Sequence, residues 1–520
     1  MSMKNATVKK HCPKFPRKSQ ERSAISPFGK DIKIEWEPSS EVTSSAGAVY
    51  FFGFLRKAGL LDKLLNGSPL RYTSNNAPPP SSVMATLICT ILKGGKRYAF
   101  ANTLRNDSVL AETAGIGGFV SEDSVRRGLS RGTEREWDAW LTEIERDIFG
   151  QLLGEDYVID IDSTVKKLYG HQEFSVKGYN PTRPGRPCHS CHGYLIGGLR
   201  VILGVDVHPG NESAGCFGMP ALWKFIDSLP AGRLPRLIRG DVSYGSESIM
   251  RAAERRKLRY LFKLRRSRSV RRDFSRACSF GKWEDAGDGW EACASTEHSG
   301  AGTSRRRIFL RRPSRDGDAG SKARRKGGMH QEEFAFTEGL APSGGWDYEL
   351  LATNDTELSA AQIAQAYRDR GDCENVFDET KNQWGWSGFM TKDVRRCKIV
   401  MRLTAIVFNL WNIFTRLADP QKHMEATTSR PMLIETIGRL VRTGRRRILK
   451  LTSNHSDCEW IRDVLERIRS FLEGLTSTAE QLSRERIWSI ILSAAFVKWL
   501  KGKMINQDSE RGLPLINLLN

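Results

Sequence analysis

The chain lacks an apolar run of the length that crosses a membrane. The longest candidate, Ile399 to Phe414, contains Arg402 and two asparagines, and it falls short of the roughly 18 to 20 apolar residues that a span requires. No apolar stretch follows the lysines near Met1, so we expect no secretory signal. These two absences predict a cytoplasmic protein that has no membrane partner.

Acidic residues are in deficit, and cysteines are few. The 520 residues contain 81 Lys and Arg against 60 Asp and Glu, which gives a formal net charge of +21. A surplus of this size indicates a polyanionic partner, and nucleic acid fits better than a membrane surface because the sequence shows no anchor. Ten scattered cysteines predict no disulfide framework. The length predicts two to four structural units rather than one.

One cysteine cluster needs its own interpretation. The segment Cys188-His189-Ser190-Cys191-His192 has the C-x-x-C-H spacing of covalent haem attachment, and C-x-x-C also begins many zinc sites. Haem attachment of this kind belongs outside the cytoplasm, and neither a second C-x-x-C nor an H-x3-H follows nearby. We therefore expect no haem and no structural zinc here, and we predict a turn with two ordinary thiols.

Shifts in composition and apolar period divide the chain into six segments. They are a basic flexible arm (1–35), a helical region (36–150), the first part of an α/β core (151–257), a β-rich basic insertion (258–347), the second part of the core (348–420) and a helical C-terminal region (421–520). Apolar residues recur every three or four positions in the helical region, whereas they alternate at the start of the core.

A short basic helix in the region 36–150 is a candidate for DNA recognition. Ser121 is an N-cap candidate for the helix that contains Asp123-Ser-Val-Arg-Arg127, and a helix of this kind can enter a DNA groove. A packed linker helix with solvated arginines explains the same pattern. Both interpretations stay open.

Two aspartates mark strands of the core. The segment from Tyr157 to Asp162 alternates, which places Asp160 and Asp162 on one face of a strand. A second short strand, beginning at Leu234, ends in Asp241. The other predicted elements of this segment are strands at 194–196, 200–207 and 260–264 and helices at 221–229 and 247–257.

The second half of the chain carries more charge before it turns helical. Two basic stretches, Arg265 to Arg276 and Arg305 to Arg312, are expected among short strands, together with a Gly-rich loop from Asp316 to Gly328. Beyond them we predict a strand at 348–353 and helices at 359–384, 398–417 and 428–502.

The helix predicted after Thr353 presents four polar residues together. At 100° per residue, Tyr367, Arg370, Glu374 and Lys381 share an arc of about 60°. A solvated, salt-bridged face would also place Arg and Glu four residues apart. The arc indicates a functional site only in combination with the two aspartates that lie on predicted strands upstream.

The spacing Tyr367-x2-Arg370-x3-Glu374-x6-Lys381 resembles the Y-R-E-K signature of DDE transposases from bacterial insertion sequences. Asp162-Ser-Thr and Arg239-Gly-Asp241 resemble the first and second acidic motifs of those proteins. The segments Gly178-Tyr-Asn-Pro, Pro184-Gly-Arg-Pro187 and Pro209-Gly-Asn211 are similar to the group-1 DDE-domain subfamily. The resemblance runs from about residue 45 to about residue 450 and departs from the family at 188–192.

This resemblance implies a fold and a set of roles. The fold is an α/β catalytic core, a ribonuclease-H-like mixed sheet flanked by helices, with a β-rich insertion. Asp162, Asp241 and Glu374 would be the catalytic, metal-binding carboxylates for Mg²⁺, for which Mn²⁺ substitutes. Arg370 and Lys381 would hold DNA phosphates, and Tyr367 would position the strand end. Whether Asp160 also touches metal stays open.

We therefore expect a transposase that binds the terminal inverted repeats of its own element, cuts the ends and joins the 3′-hydroxyls to target DNA by two-metal-ion phosphoryl transfer. Double-stranded DNA and a second copy of the chain in a homodimer would be its partners, in the cytoplasm at the nucleoid. Alternatives are an inactive or nuclease-only relative and a non-catalytic DNA-binding regulator. Three carboxylates in one pocket would discriminate, because a regulator needs none.

Overall fold

The computed structural model describes residues 23–25, 32–34, 37, 41–180, 183–212, 214–265, 267–295, 305–313, 346–455, 457–477 and 482–505. Most of the predicted basic arm (1–35) and the whole Gly-rich loop from Asp316 to Gly328 lie outside these residues.

The amino-terminal region consists mainly of helices. Its elements are β1 (Ser23–Ile25), β2 (Ile32–Ile34), β3 (Val42–Thr43), α1 (Ala48–Lys57), α2 (Leu60–Asn66), α3 (Pro80–Leu92), α4 (Ala101–Leu104), α5 (Ser108–Ala114), α6 (Glu122–Leu129) and α7 (Glu134–Phe149). α7 begins at a capping box, in which Thr133 Oγ1 accepts from the Glu136 backbone N–H at 3.2 Å and the Glu136 carboxylate accepts from that of Thr133 at 2.7 Å.

The core strands belong to one mixed sheet. In chain order, the elements are β4 (Val158–Lys167), β5 (Val176–Lys177), β6 (Pro187–Ile196), β7 (Val201–Pro209), α8 (Ala214–Phe217), α9 (Met219–Asp227), β8 (Leu237–Gly240), α10 (Glu247–Arg255) and β9 (Tyr260–Lys263). β6 pairs antiparallel with β4 and β7, whereas β8 pairs parallel with β4 and β9. The spatial order is therefore β7-β6-β4-β8-β9. The predicted succession of strands and helices is confirmed except that β5 and α8 were not predicted.

Strands of the predicted insertion extend the same sheet. After α11 (Arg268–Phe280) come β10 (Glu284–Gly287), β11 (Trp290–Ala294), β12 (Arg306–Pro313) and β13 (Trp346–Thr353). β13 pairs with β9, and the sheet continues through β12 and β11 to β10, for ten strands. The basic stretch from Arg265 to Arg276, expected among strands, is mostly helical, because Phe274 and Ala277 pack as one helix face against Phe309 of the sheet.

The predicted helix over 359–384 is broken in two. α12 (Ala360–Arg368) and α13 (Gly371–Gln383) are separated by Asp369 and Arg370. There the N–H groups of Arg370 and Cys373 donate to carbonyls only three residues back, at 3.1 and 2.9 Å, as in a 3₁₀ turn. A uniform rotation of 100° per residue does not carry across this turn, so the predicted arc from Tyr367 to Lys381 holds only within each helix.

α14 (Val394–Ala418) is the central helix of the protein. It is long and apolar enough to cross a membrane, yet 89% of its most apolar 18-residue stretch is buried inside the protein. Its Asn409 side chain accepts from the backbone N–H of Ile202 at 2.8 Å and donates to the carbonyl of Ile202 at 2.7 Å. These bonds fix the helix against β7.

The C-terminal region contains a hairpin between its helices. Its elements are α15 (Ala426–Leu433), β14 (Gly438–Thr443), β15 (Arg446–Leu451), α16 (Cys458–Ser477) and α17 (Arg484–Ala495). The helical prediction for 428–502 is therefore wrong over 438–451. There the strands pair antiparallel with Val441 opposite Ile448, and Gly444 opens the connecting turn with φ of 58°, a value that a residue with a Cβ rarely adopts.

Helices from both ends of the chain share one hydrophobic core around α14. The ring of Phe51 in α1 lies 5.5 Å from that of Trp411 in α14, and Phe54 lies 6.0 Å from Trp488 in α17. Trp488 Nε1 also donates to the carbonyl of Ile148 in α7 at 3.1 Å. One cluster of buried residues runs from α1 to the C-terminal helices, so the segments 36–150 and 421–520 pack against each other.

Candidate active site

Asp162 and Asp241 lie on neighbouring strands of the sheet. β4 and β8 run parallel, with Ile161 opposite Gly240, and each aspartate is the next residue along its strand. The carboxylates therefore emerge side by side where β8 ends, at the carboxyl edge at which open α/β sheets bind ligands. Asp241 accepts from the backbone N–H of Ser243 at 2.9 Å and from its hydroxyl at 3.4 Å.

Arg370 joins Glu374 to the first aspartate. Its Nη2 lies 2.9 Å from Asp162 Oδ2, and its Nη1 lies 3.1 Å from Glu374 Oε1. Arg370 is only 4% exposed, whereas the Glu374 side chain is 69% exposed. The turn between α12 and α13 thus holds the guanidinium inside the site and brings the third carboxylate to its edge.

The charges of Asp241 and Glu374 act on the carboxyl group of Asp162 and on its pKa. Burial raises the pKa of Asp162 to about 6; Arg370 acts to lower it, while the negative charges of Asp241 and Glu374 raise it. Like charges that share a buried site oppose ionisation in this way. The three acids predicted from the sequence are therefore brought together.

Tyr367 belongs to the same site, while Lys381 stands apart from it. Burial raises the pKa of the Tyr367 hydroxyl, Arg370 lowers it, and Asp241 and Glu374 add to the rise. Lys381 lies two turns beyond Glu374 on α13, and among the described residues its ammonium group has no ion-pair partner. Three members of the predicted arc meet at the acids, and the fourth remains free for another contact.

Asp160 is tied into a buried ion pair. Its two carboxylate oxygens accept from Arg239 Nε and Nη2 at 2.6 and 2.8 Å, and Asp160 is 0% exposed. Arg239 also donates to the carbonyl of Ala366 in α12. Asp160 therefore lies beneath the three acids, where its ion pair with Arg239 helps to attach α12 to the sheet.

Sequence reasoning missed Tyr244. This side chain is completely buried, and burial, followed by the charges of Asp162 and Asp241, raises its pKa well above the usual value. A Cβ on Gly240 would lie 3.0 Å from the Tyr244 side chain. The one signal in the sequence is this glycine directly before Asp241, which leaves room for the ring.

The cysteine cluster does not form the predicted turn. Residues 188–192 lie within β6, between β4 and β7, and three residues along a strand reverse the face of a side chain. Cys191 Sγ contacts Met401 Sδ at 3.6 Å, whereas Cys188 lies near the carbonyl of Tyr179. The two thiols therefore point to opposite sides of the sheet, each in an ordinary apolar or backbone contact.

The candidate recognition helix α6 is packed on the protein. Ser121 caps it as predicted, accepting from the Ser124 N–H at 3.3 Å. Arg126 lies over the ring of Tyr98 at 4.7 Å, and Arg127 lies 3.9 Å from Asp123. These contacts favour the linker-helix interpretation.

The donor chemistry of the three acids fits a hard divalent cation. Asp162, Asp241 and Glu374 offer only carboxylate oxygens, the ligands that Mg²⁺ prefers, and a cation would relieve their repulsion. Among the described residues, no group of three or more His, Cys, Asp and Glu is already spaced to hold a metal ion. The gap between Asp162 and Glu374 is filled by the Arg370 guanidinium.

Comparisons with known proteins agree with this geometry. Residues 153–410, almost half of the chain, match the family model described as Transposase DDE domain, and this range contains all three acids. This part of the chain is therefore similar to the Transposase DDE domain. No curated protein sequence matches the chain significantly.

One solved structure is similar to this chain over most of its length. It is a cryo-EM structure of the piggyBac transposase synaptic complex with hairpin DNA, at 10% sequence identity and a TM-score of 0.39, and the similarity covers 87% of this chain and 85% of that one. A likeness of this degree carries no argument about function.

Proposed function

We propose that this chain, in which residues 153–410 match the Transposase DDE domain, is a DDE transposase that cuts and joins DNA. The observation that carries the proposal is the register of β4 and β8, which sets Asp162 beside Asp241. Arg370 then draws in Glu374 through its second ion pair. Three acids gathered in one site of a chain with a net charge of +21 have no use in a protein that only binds DNA.

Asp162, Asp241 and Glu374 would hold Mg²⁺, or Mn²⁺ in its place. Two bound ions would supply the activation of an attacking water or 3′-hydroxyl and the stabilisation of the leaving oxygen in an in-line displacement. The residues of the chain orient and shield the acids: Ser243 fixes the Asp241 carboxylate, and the buried Tyr244 ring keeps water from the side facing the sheet.

Arg370, Tyr367 and Lys381 would handle the DNA. The Arg370 guanidinium neutralises Asp162 and Glu374, and it would be available to a DNA phosphate if cations held these two acids. Tyr367, beside Glu374, positions the strand end. Lys381 lies seven residues beyond Glu374, about 10 Å along the helix at 1.5 Å per residue, and so contacts the backbone one or two phosphates from the cut.

We infer further that the DNA consists of the terminal inverted repeats of a bacterial insertion sequence together with its target. The strand order β7-β6-β4-β8-β9 supports a ribonuclease-H-like catalytic core, and the Y-R-E-K spacing supports the insertion-sequence subfamily. A homodimer would hold two ends together, with the region 36–150 contributing to binding, in the cytoplasm at the nucleoid. A nuclease-only or inactive relative is the second candidate.

The test uses full-length protein and linear DNA that carries both ends of the element. Strand breaks are mapped after incubation with Mg²⁺ or with EDTA. We expect breaks with 3′-hydroxyls at the element ends in Mg²⁺ and none in EDTA. Breaks scattered along the DNA would favour the nuclease, and no breaks in either Mg²⁺ or Mn²⁺ would contradict catalysis.

A further inference from the structure

The C-terminal hairpin (residues 438–451, strands β14 and β15) is strongly basic. It contains five arginines and one lysine and no acidic residue. Paired residues of a hairpin project from the same face, so its register defines two faces. The inner face carries Gly438, Leu440, Arg442, Arg447, Leu449 and Leu451, and the outer face carries Arg439, Val441, Thr443, Arg446, Ile448 and Lys450.

The inner face is bound to the amino-terminal region. Arg442 lies 2.9 Å from Glu41, and Arg447 lies 2.7 Å from Glu112 of α5. Gly438 is buried so closely that a Cβ there would lie 2.5 Å from that of Ala46. These contacts and the pairing of β14 with β3 set the orientation of the hairpin. The charges of the two inner arginines are neutralised by the two glutamates.

The outer face is free and cationic. Arg439, Arg446 and Lys450 are exposed, as is Arg445 in the turn, and none of the four has an ion-pair partner among the described residues. Ile448, between the two charged ends of this face, is 43% exposed. This face therefore combines unneutralised positive charge with a small apolar centre.

We propose that this outer face binds double-stranded DNA as a β-ribbon, an inference that rests on the proposed function for the identity of the polyanion. Arg439 and Lys450 face each other at one end, and Arg446 lies four residues along β15 from Lys450. Four residues of a strand span roughly 13 Å, close to the major-groove width of about 12 Å. The two charged ends reach phosphates on both sides of the groove, and Ile448 faces the base edges between them.

The charges also argue against a protein strand as the partner. β15 is the edge of its sheet, and an unpaired edge can add a strand from another chain. Charged residues on an edge strand are the usual protection against such pairing, and Arg446, Arg447 and Lys450 all lie on β15. The edge is thus suited to an anion rather than to a second copy of the chain.

The test measures the affinity of the full chain for a duplex from the element end between about 50 and 200 mM salt. Arg439→Gln/Arg446→Gln/Lys450→Gln should weaken binding at least tenfold and reduce the slope of log K against log salt by about 0.9 per lost phosphate contact. Lys422→Gln/Lys501→Gln/Lys503→Gln removes three exposed charges elsewhere and should change affinity less than twofold.

A charge-keeping variant separates binding from folding. Arg439→Lys/Arg446→Lys should retain both the affinity and the slope of the wild type. Equal losses in the two Gln triple variants would overturn the hairpin proposal while leaving DNA binding intact. A wild-type chain that binds no duplex would instead contradict the proposed function, and this inference with it.

Discussion

At the scale of single residues, the candidate site depends on how Asp162 remains charged. Its carboxylate is buried beside two other acids, so its pKa rises to about 6 despite the adjacent Arg370. The carboxyl group of Asp162 therefore stays protonated up to a higher pH than that of an exposed aspartate. Any cation that uses this oxygen must compete with a proton below that pH.

The first prediction is a pH-dependent affinity for Mg²⁺. Because the pKa of Asp162 is raised, its ionised form is fully available above about pH 7 and is lost as pH falls through about 6. We expect Mg²⁺ binding, measured by titration calorimetry on the metal-free protein, to weaken about tenfold between pH 7.5 and pH 5. Asp378→Asn, which changes an exposed acid on α13, the helix of Glu374, should leave this profile unchanged. An affinity that stays flat over this range would remove Asp162 from the metal site.

The three acids of the candidate site could be predicted from the sequence because each lies in a local motif that resembles a motif of the DDE transposases. Asp162 lies in an alternating strand, Asp241 ends a short apolar strand, and Glu374 lies in a fixed spacing of polar residues. Tyr244 lies in no such motif, and Gly240 is its one signal in the sequence, because the place of its ring depends on the turn after β8. The buried pair of Asp160 with Arg239 likewise depends on the parallel register of two strands, which is a tertiary property.

At the scale of elements, the strands were easier to predict than the breaks between helices. β4 is visible in the sequence because apolar and acidic residues alternate from Tyr157 to Asp162, although Asp160 is as buried as Ile159 and Ile161. The 3₁₀ turn at Asp369 and Arg370 is followed directly by Gly371, but a single glycine is tolerated inside a helical pattern and does not by itself predict a break. In the hairpin over 438–451 the aliphatic residues come as two adjacent pairs, Leu440-Val441 and Ile448-Leu449, rather than in alternation, so the strand pattern is weak. The pairing of β14 with β3 favours the strand in the folded protein.

Glu379 connects two helices near the site. It is 1% exposed and on α13, and its carboxylate accepts from His423 at 2.7 Å and from Trp384 Nε1 and the Ala426 N–H, both at 3.1 Å. Burial alone would raise the pKa of Glu379, but these hydrogen bonds outweigh it, and the pKa is lowered. The ionised form therefore stabilises the fold above pH 4.5, the ordinary pKa.

We predict that Glu379→Ala lowers the free energy of unfolding by about 3 kcal/mol at pH 7, since it leaves buried partners unpaired. The difference from wild type should shrink as pH falls below about 4.5 and the wild-type carboxylate is protonated. Urea unfolding at several pH values measures both effects. Asp378→Ala, its exposed neighbour, should cost less than about 0.5 kcal/mol. Equal costs for the two variants would show that the buried contacts contribute nothing.

At the scale of the whole molecule, the two ends of the chain fold together. Trp488 of α17 packs on Phe54 of α1 and donates to the Ile148 carbonyl, so the C-terminal helices complete the core of the amino-terminal ones. Composition divides the amino-terminal helices and the C-terminal helices into separate segments. A core that two distant segments share does not show in the local sequence pattern of either segment. The proposed catalytic sheet is thus attached to one continuous helical body.

This shared core predicts that Trp488→Ala destabilises the whole chain. Loss of a buried Trp costs about 3 to 5 kcal/mol, and the loss should appear in one cooperative urea transition that also reports on the amino-terminal helices. Trp460→Ala, which removes a Trp that is 38% exposed, should change stability by less than 1 kcal/mol, about what surface substitutions cost. A separate transition for the amino-terminal helices, unaffected by Trp488→Ala, would contradict the shared core.

The central claim is that Asp162, Asp241 and Glu374 act as one metal-dependent site on DNA. The most direct measurement is the rate at which element-end DNA is cut in Mg²⁺ by Asp162→Asn, Asp241→Asn and Glu374→Gln, beside Asp378→Asn as the matched control. We expect each of the three to cut no faster than wild type in EDTA while binding the end DNA within about twofold of wild type, because each removes a metal ligand and no positive charge. Asp378→Asn should cut normally. Wild-type cutting by any one of the three would contradict the claim for that residue.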